Sequence, residues 1–476
     1  MAFPLAETIF RQRKGSVAKV DSQTLLTELR GALPTSEILT DPKSLEDYGK
    51  DMGEYEGFPL VVVRPSSEAE VMKTLEIANR NRAPILARGA GSSLTGAAVL
   101  EGGMILDMRS MDKVIKVDPV NWYVQVQPGI SLWDLNAELK QHGFFFPPDP
   151  ASSYICTVGG AIAEGSGGLR CVRYGTMKDW VLSVRLVLPS GKVVRLGEPL
   201  PKNRAGYDLL HLIVGSEGTL GVITEAYLKI IPIPTVPMRR FLATFGSWGP
   251  IGLAITKMRT SGMLPGLFEF LDRDHIHALN EKMDRHLDEA EATLIVDMEE
   301  PNLDKMIELL QSCGALTIHV AKDEAEAEDL YEVRANALLA VKSMAPAAIV
   351  GDVTVPLDKL GDYFDSVKEV AEEHRLRIFV MGHAGDGNVH PTILYDDSKI
   401  EEKESMGSAF DEICRRAVAM GGTVTGEHGV GVQKMKVFRE QLQLRDGGEA
   451  LDLMKRIKEV FDPNGIMNPG KYVAEE

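Results

Sequence analysis

Short apolar runs bounded by Gly, Pro or Asp alternate along this chain with stretches of helical period. Leu60-Val61-Val62-Val63, Pro84-Ile85-Leu86-Ala87-Arg88, Met104-Ile105-Leu106-Asp107, Lys113–Asp118 and Tyr123-Val124-Gln125-Val126 read as strands, because brief apolar or alternating runs between turn formers suit a pleated, buried segment. Residues 22–34 carry an amphipathic helical stripe. Ser67-Glu68-Ala69-Glu70 sets Ser and Glu three positions apart, a capping box that predicts a helix to about Arg80. A strand–helix–strand opening into a meander points to an α+β fold. Val181–Leu188 follows as another strand, turned by Pro189-Ser190-Gly191.

At Ile231-Pro232-Ile233-Pro234 two prolines in four residues interrupt regular structure, and the pattern changes beyond them. This predicts a first domain over 1–235 and a second over 236–430. In the second, strands such as Phe241–Phe245, Leu267–Leu271, Leu294–Asp297, Leu316–Val320 and Ile378–Met381 alternate with helical stretches, one of them at 325–343, as in an antiparallel sheet layered with helices. Residues 431–476 form a helical C-terminal segment closed by Phe461-Asp462-Pro463-Asn464-Gly465. There is no internal repeat and no low-complexity linker.

A chain of 476 residues exceeds one ordinary core, and 44 % hydrophobic with 25 % charged residues is a globular balance, not a disordered one. With 52 Lys and Arg against 69 Asp and Glu the net charge is −17, which repels nucleic-acid phosphates and anionic headgroups. Nucleic-acid binding is thereby disfavoured, and a small anionic substrate would need a local positive contact. Cys156, Cys171, Cys313 and Cys414 contain no CxxC pair, so the chain carries no iron–sulfur cluster or structural zinc of that type. Arg11, Arg13 and Lys14 come after Phe3-Pro4-Leu5 rather than before a long apolar run, so no export signal is read. No uncharged apolar run reaches the roughly 18 residues of a spanning helix. The expected location is cytoplasmic, or at most peripheral to a membrane.

Three glycine-dense tracts follow strands. Arg88-Gly89-Ala90-Gly91-Ser92-Ser93-Leu94-Thr95-Gly96 offers close backbone approach and hydroxyl donors, which suits a pyrophosphate or simply a tight turn. It is neither a Rossmann nor a Walker loop. The second runs from Pro147-Pro148-Asp149-Pro150 through Thr157-Val158-Gly159-Gly160-Ala161-Ile162-Ala163-Glu164-Gly165-Ser166-Gly167-Gly168 to Tyr174-Gly175, and the third from Gly215 to Thr224. Three such tracts beside strands suit a long, planar, anionic ligand lying across several strand ends.

In the second domain His383-Ala384-Gly385-Asp386-Gly387-Asn388-Val389-His390 is followed 37 residues later by Glu427-His428. Two imidazoles and a carboxylate suffice for a divalent metal with open positions, and the Gly-Asp-Gly-Asn turn can fold the histidines together. Arg334, between the helical neighbours Leu330 and Leu338, is a candidate anion contact or a plain solvated position.

The Arg88–Gly96 loop, the Pro148-Asp149 to Gly168 tract and Gly218-Thr219-Leu220-Gly221-Val222-Ile223-Thr224 resemble the flavin domain of the vanillyl-alcohol oxidase type. It occurs in D-lactate dehydrogenases, D-2-hydroxyglutarate dehydrogenases and the flavin subunit of glycolate oxidase. The resemblance spans about residues 40 to 472 and implies an α+β protein with a two-part FAD-binding domain and an antiparallel-sheet cap. It implies FAD with Arg88, Gly89, Ala90, Gly91, Ser92, Ser93, Thr95 and Gly96 on the pyrophosphate. Along the adenosine and ribityl parts it implies Pro148, Asp149, Val158, Gly159, Gly160, Ala163, Gly165, Ser166, Gly167, Tyr174, Gly218, Gly221, Val222 and Ile223. Asn468, in Met467-Asn468-Pro469-Gly470-Lys471, belongs to the family's closing segment, though a C-terminal turn reads the same. Some relatives attach flavin through a His in the first loop; Ser92-Ser93 stand here, so the flavin is expected to be noncovalent. Relatives often carry Asn where this chain has Ala161 and Gly165.

In the cap, the resemblance implies His383, His390 and Glu427 as ligands of a divalent metal (Zn, Mn or Fe), His428 as catalytic base, and Arg334 and Asn388 on the substrate. It implies oxidation of a small D-2-hydroxy acid, D-lactate to pyruvate first, with metal-assisted proton removal and hydride transfer to flavin N5. Hydroxyglutarate dehydrogenases carry a substrate lysine where this chain reads Ile349-Val350-Gly351-Asp352-Val353-Thr354-Val355-Pro356, which favours a small monocarboxylate. Electrons would pass to an external acceptor: an electron-transferring flavoprotein, an iron–sulfur subunit, a cytochrome or a quinone. The alternatives are a glycolate oxidase flavin subunit and a non-catalytic flavin relay subunit of a larger complex.

Overall fold

The computed structural model describes residues 21–473, so the N-terminal reading around Arg11, Arg13 and Lys14 lies outside the described residues. The chain forms two compact units. Among the described residues unit 1 comprises 21–166, 176–233 and 427–473, and unit 2 comprises 167–175 and 234–426. The prolines at 232 and 234 flank the crossing at Ile233/Pro234, and the return crossing is at Gly426/Glu427.

In unit 1 the strands are β1 (Glu37–Leu39), β2 (Val61–Arg64), β3 (Ile85–Arg88), β4 (Met104–Asp107), β5 (Val114–Asp118), β6 (Tyr123–Val126), β7 (Phe144–Phe145), β8 (Val181–Val187), β9 (Val193–Gly197), β10 (Val222–Lys229) and β11 (Ile231–Pro232). Four of them form a sheet of order β1-β2-β4-β3, parallel across β2, β4 and β3; five form an antiparallel sheet of order β5-β6-β10-β8-β9. The unbroken Val61-Val62-Val63 run suits a strand covered on both faces. Val61 and Val63 pack with Leu25, Leu29, Val71 and Leu75 from two helices, while Val62 faces Tyr48, Leu86 and Leu100.

The helix Glu68–Arg80 starts where predicted, with a different cap. Ser67 Oγ accepts the Glu70 N–H at 3.4 Å, but the Glu70 carboxylate reaches back one residue further, to the Ser66 N–H at 2.6 Å. The C-terminal stretch carries helices Met435–Asp446 and Glu449–Phe461 and then returns to the first sheet: Met467 bridges to Ile85, and Asn468 N–H donates to Ile85 O at 2.8 Å.

Unit 2 is one antiparallel sheet of β12 (Met238–Phe245), β13 (Leu267–Asp272), β14 (Ala292–Glu299), β15 (Thr317–Val320), β16 (Ala347–Val350), β17 (Val353–Thr354), β18 (Arg377–His383) and β19 (Asn388–Tyr395). Their order is β15-β12-β14-β13-β18-β19-β16, with β17 on β19. Period-two alternation sends Leu267 and Leu271 of β13 to the side of the helices Arg273–Met283 and Glu324–Lys342. Phe268 and Phe270 point the other way, where Phe270, Trp248 and Phe364 stack with ring centroids 4.1 to 5.7 Å apart.

The sequence reading kept 167–175 with the first domain; this stretch belongs to unit 2. The reason is visible in its contacts. Arg173 is ion-paired with Glu299 and donates to Leu264 O at 3.0 Å, and Leu169 joins the helix-side core of the unit 2 sheet. Among the described residues no helix is long and apolar enough to cross a membrane.

Candidate active site

The three glycine tracts come together in unit 1. One cavity is lined by Arg88 and Gly89 of the first, by Thr157, Gly159, Gly160 and Ala163 of the second, and by Ser216, Gly218, Gly221 and Ile223 of the third. Two of the approaches are close. A Cβ at Gly89 would overlap Thr157 Oγ1, and one at Gly159 would lie 2.6 Å from the Pro128 side chain. Gly218 has φ +67° and open space where a side chain would stand. Ala87, Met108, Pro128 and Ile213 complete a lining that joins apolar side chains to glycine backbone and to the hydroxyl residues Thr157 and Ser216, a surface for a ligand that is part flat and apolar and part anionic, so the residues fit FAD.

Arg88 lines this cavity, and its buried guanidinium is committed to carbonyls, Ala98 O and Lys50 O, both at 2.6 Å. It holds the loop in shape. Gly91, at φ +73°, leaves the space that guanidinium occupies. Thr95 is buried; its carbonyl accepts from Val432 and Gln433, and its hydroxyl donates to His428 O at 3.3 Å. Asn468 gives its amide to Ala97 O at 3.0 Å and Glu217 O at 2.7 Å, so it ties the first tract to the third. Ala90, Ser92, Ser93, Gly96, Pro148, Asp149, Val158, Gly165, Ser166 and Val222 belong to unit 1 without lining the cavity. Gly167 and Tyr174 lie in the stretch that belongs to unit 2 and do not line it either.

In unit 2, β18 and β19 form a hairpin closed by residues 384–387. Gly387, at φ +84°, donates to His383 O at 3.1 Å, and Asp386 Oδ1 accepts the Asn388 N–H at 3.1 Å. In this register Met381 faces His390 and His383 faces Asn388, so the two histidines are diagonal neighbours on one sheet face. Their Nε2 atoms lie 3.3 Å apart. Each outer nitrogen is engaged: His383 Nδ1 on Glu269 Oε1 at 2.6 Å, His390 Nδ1 on Gly351 O at 3.3 Å. Both acceptors require a proton on Nδ1, which makes each Nε2 a lone-pair donor aimed at the other. Two nitrogens at about 2.05 Å from a shared tetrahedral ion would be about 3.3 Å apart, so this donor pair fits a metal.

Asn388 does not point its amide into open space. Nδ2 donates to Asp352 Oδ1 at 2.8 Å and Val353 O at 2.9 Å. Asp352, buried, also accepts Thr425 Oγ1 at 2.6 Å and the Gly426 N–H at 3.1 Å. Asp352 therefore anchors the chain where it leaves unit 2, one residue before Glu427 and His428. Arg334 is no solvated position: it is 6 % exposed, and Nε donates to Glu269 Oε2 at 2.8 Å.

Glu427 and His428 begin the last stretch of unit 1, with His428 Nε2 3.6 Å from Glu427 Oε1. The residues just beyond are fixed by Glu217, whose carboxylate accepts the N–H groups of Val430 at 2.6 Å and Gly431 at 3.0 Å. A Cβ at Gly429 would press on both Glu217 and Glu164. Burial pushes the carboxyls of Glu164 and Glu217 well up from their ordinary range, and Asp51 nearby in charge is pushed up to about 6 by the same cause.

Residues 59–197 match the FAD binding domain family, and residues 237–472 match the C-terminal domain of FAD linked oxidases. The chain is 35 % identical to glycolate oxidase subunit GlcD of Bacillus subtilis strain 168, over 89 % of this chain and 91 % of that one. The chain belongs to the FAD-linked oxidase family. This FAD-linked oxidase is also 37 % identical to the mitochondrial D-lactate dehydrogenase [cytochrome] of Arabidopsis thaliana, over 97 % of this chain and 82 % of the relative. Its fold matches p-cresol methylhydroxylase with a TM-score of 0.80 over 97 % and 98 % of the two chains, at 18 % identity. The expected vanillyl-alcohol oxidase type α+β fold is therefore the fold of the chain.

Sequence reasoning did not single out Glu269, Asp352 or Glu217. Asp352 and Glu217 stand inside quoted motifs, where a carboxylate among glycines and β-branched residues was the available signal. Glu269 had a fainter one, a lone acid in the apolar run Leu267-Phe268-Glu269-Phe270-Leu271.

Proposed function

We propose that this FAD-linked oxidase oxidises a small D-2-hydroxy acid, D-lactate before glycolate, and passes the electrons to an external acceptor. The observation that carries this reading is the His383–His390 pair, each Nδ1 engaged by an acceptor and the two Nε2 atoms converging at 3.3 Å. The relatives named D-lactate dehydrogenase and glycolate oxidase subunit support the substrate class.

His383, His390 and Glu427 would hold a divalent ion, Zn, Mn or Fe, whose chemistry is to lower the pKa of a hydroxyl, while FAD, in the cavity of unit 1, supplies a two-electron acceptor. His428 takes the hydroxyl proton, a task suited to an imidazole near neutral pH. Arg334 orients the carboxylate: its Nε is spent on Glu269, its Nη1 lies 3.7 Å from Met381 Sδ, and its Nη2 makes no hydrogen bond among the described residues. One guanidinium edge favours a monocarboxylate such as lactate. The similarity to a glycolate oxidase subunit favours glycolate as the second reading.

The test is anaerobic addition of D-lactate, glycolate and D-2-hydroxyglutarate in turn to the purified protein, read at the flavin absorption band. Bleaching by D-lactate or glycolate, slowed about 10²-fold or more in His428→Ala, is the expected result. A bound flavin that none of the acids bleaches would replace this reading with a relay subunit.

A further inference from the structure

We propose that Glu269 is a positioning residue that joins the histidine pair to the substrate-carboxylate arginine, holding His383 in its ligating tautomer with one oxygen and Arg334 with the other. The inference rests on the metal reading above and adds to it a residue of the opposite strand.

Glu269 stands in the middle of β13, in an apolar run where a hydrocarbon side chain would pack without cost, and it is fully buried. Removing a carboxylate from water is costly unless it is paired and hydrogen-bonded, so its place needs a reason beyond packing. The register supplies one. Glu269 lies directly opposite His383 across the β13–β18 pair, and alternation puts it on the same sheet face as Leu267 and Leu271, toward the helix that carries Arg334. Its two oxygens then divide the work, Oε1 with His383 Nδ1 at 2.6 Å and Oε2 with Arg334 Nε at 2.8 Å.

The chemistry follows from the charges. Arg334 balances the carboxylate, so the contact to His383 calls for an N–H donor and not for a second positive charge. Neutral His383 with its proton on Nδ1 has its lone pair on Nε2, the atom that faces His390 Nε2. A simple counter-ion for Arg334 would not need its second oxygen on a histidine. Because both arms leave from one carboxylate, the carboxylate-binding guanidinium and the His383 ring are set at a fixed spacing.

The decisive comparison uses the full-length, FAD-loaded protein and titrates Zn²⁺, then Mn²⁺, against a chromophoric chelator. Glu269→Gln keeps the size but can no longer accept from both partners as an anion. We expect one ion per wild-type chain and an affinity lower by about 10- to 100-fold in Glu269→Gln, with the flavin spectrum unchanged. Leu271→Ala, on the same strand and face, is the control for loosened packing; it should lower the melting temperature and leave the affinity within a few-fold of wild type. Equal affinity in Glu269→Gln and wild type, or equal weakening in Leu271→Ala, would overturn the proposal. A wild-type chain that binds neither ion would overturn it as well, whichever acid bleaches the flavin; an unbleached flavin beside a Glu269-dependent metal site would overturn only the substrate reading.

Discussion

Glu217, buried, and Glu164, half-buried with its Oε2 enclosed, meet at the Gly429 turn, and desolvation pushes both carboxyls up, so folding favours their neutral forms. The unfolded chain ionises them near the usual carboxylate pKa, so their contribution to stability is present below that value and is lost as pH climbs through the raised folded values. Each proton so linked changes stability by at most about 1.4 kcal/mol per pH unit. Glu164→Gln removes one of them. The variant should therefore gain melting temperature relative to wild type on going from pH 5 to pH 8; a difference that stays constant across that range would refute the linkage. At this scale the sequence was uneven. The approach of His383 and His390 was legible because the six residues between them, two of them glycines, announce a turn. Glu269 was not, since its partners His383 and Arg334 lie 114 and 65 residues away and no spacing rule links them. Arg334 was open between a substrate contact and a solvated position, because its apolar neighbours Leu330 and Leu338 did not reveal which way that helix face turns.

Strand and turn elements follow from local pattern, whereas the way they meet depends on register. The strand Ile378–Met381 and the Gly-Asp-Gly-Asn turn were legible, whereas the returning strand β19 and the pairing of Glu269 with His383, which brings β13 to the same site, were not. The glycine tracts were legible as close-approach elements, and two glycines separate that role from mere flexibility. Gly89→Ala would drive a methyl group into Thr157 Oγ1 and shift the loop against the Val158–Glu164 helix. FAD affinity, read by quenching of flavin fluorescence, should fall by tenfold or more; an unchanged affinity would mean that the cavity is not the flavin site. Gly407, inside the Ile400–Ala419 helix of unit 2, has open space around it. Gly407→Ala should stabilise the protein by about 0.5–1 kcal/mol through backbone entropy alone, measured by denaturant melting, with no change in flavin binding.

Across the whole molecule the chain crosses between the units four times, at 166/167, 175/176, 233/234 and 426/427. Paired prolines made the third crossing legible. The short 167–175 excursion was hidden, since its glycines continue a flavin-type tract while Leu169 and Arg173 find their partners in unit 2. One consequence is that unit 1 cannot be completed by the first 233 residues. Its last stretch supplies the Val430 and Gly431 N–H groups that Glu217 needs, the Asn468 amide that ties Ala97 to Glu217, and Lys458, whose ammonium donates to Thr219 O at 2.7 Å and Met467 O at 2.8 Å. A chain ending at Gly426 would leave a raised, buried carboxylate without its donors and two glycine tracts without their tie. Such a burial defect costs on the order of 1–3 kcal/mol per unpaired group, comparable with a sizeable part of a domain's net stability. The truncated chain should bind no FAD at concentrations that saturate the intact protein, while far-ultraviolet dichroism keeps the signal of the unit 2 sheet. Full flavin binding by the truncated chain would show that residues 427–476 are an appendage and not part of the flavin fold.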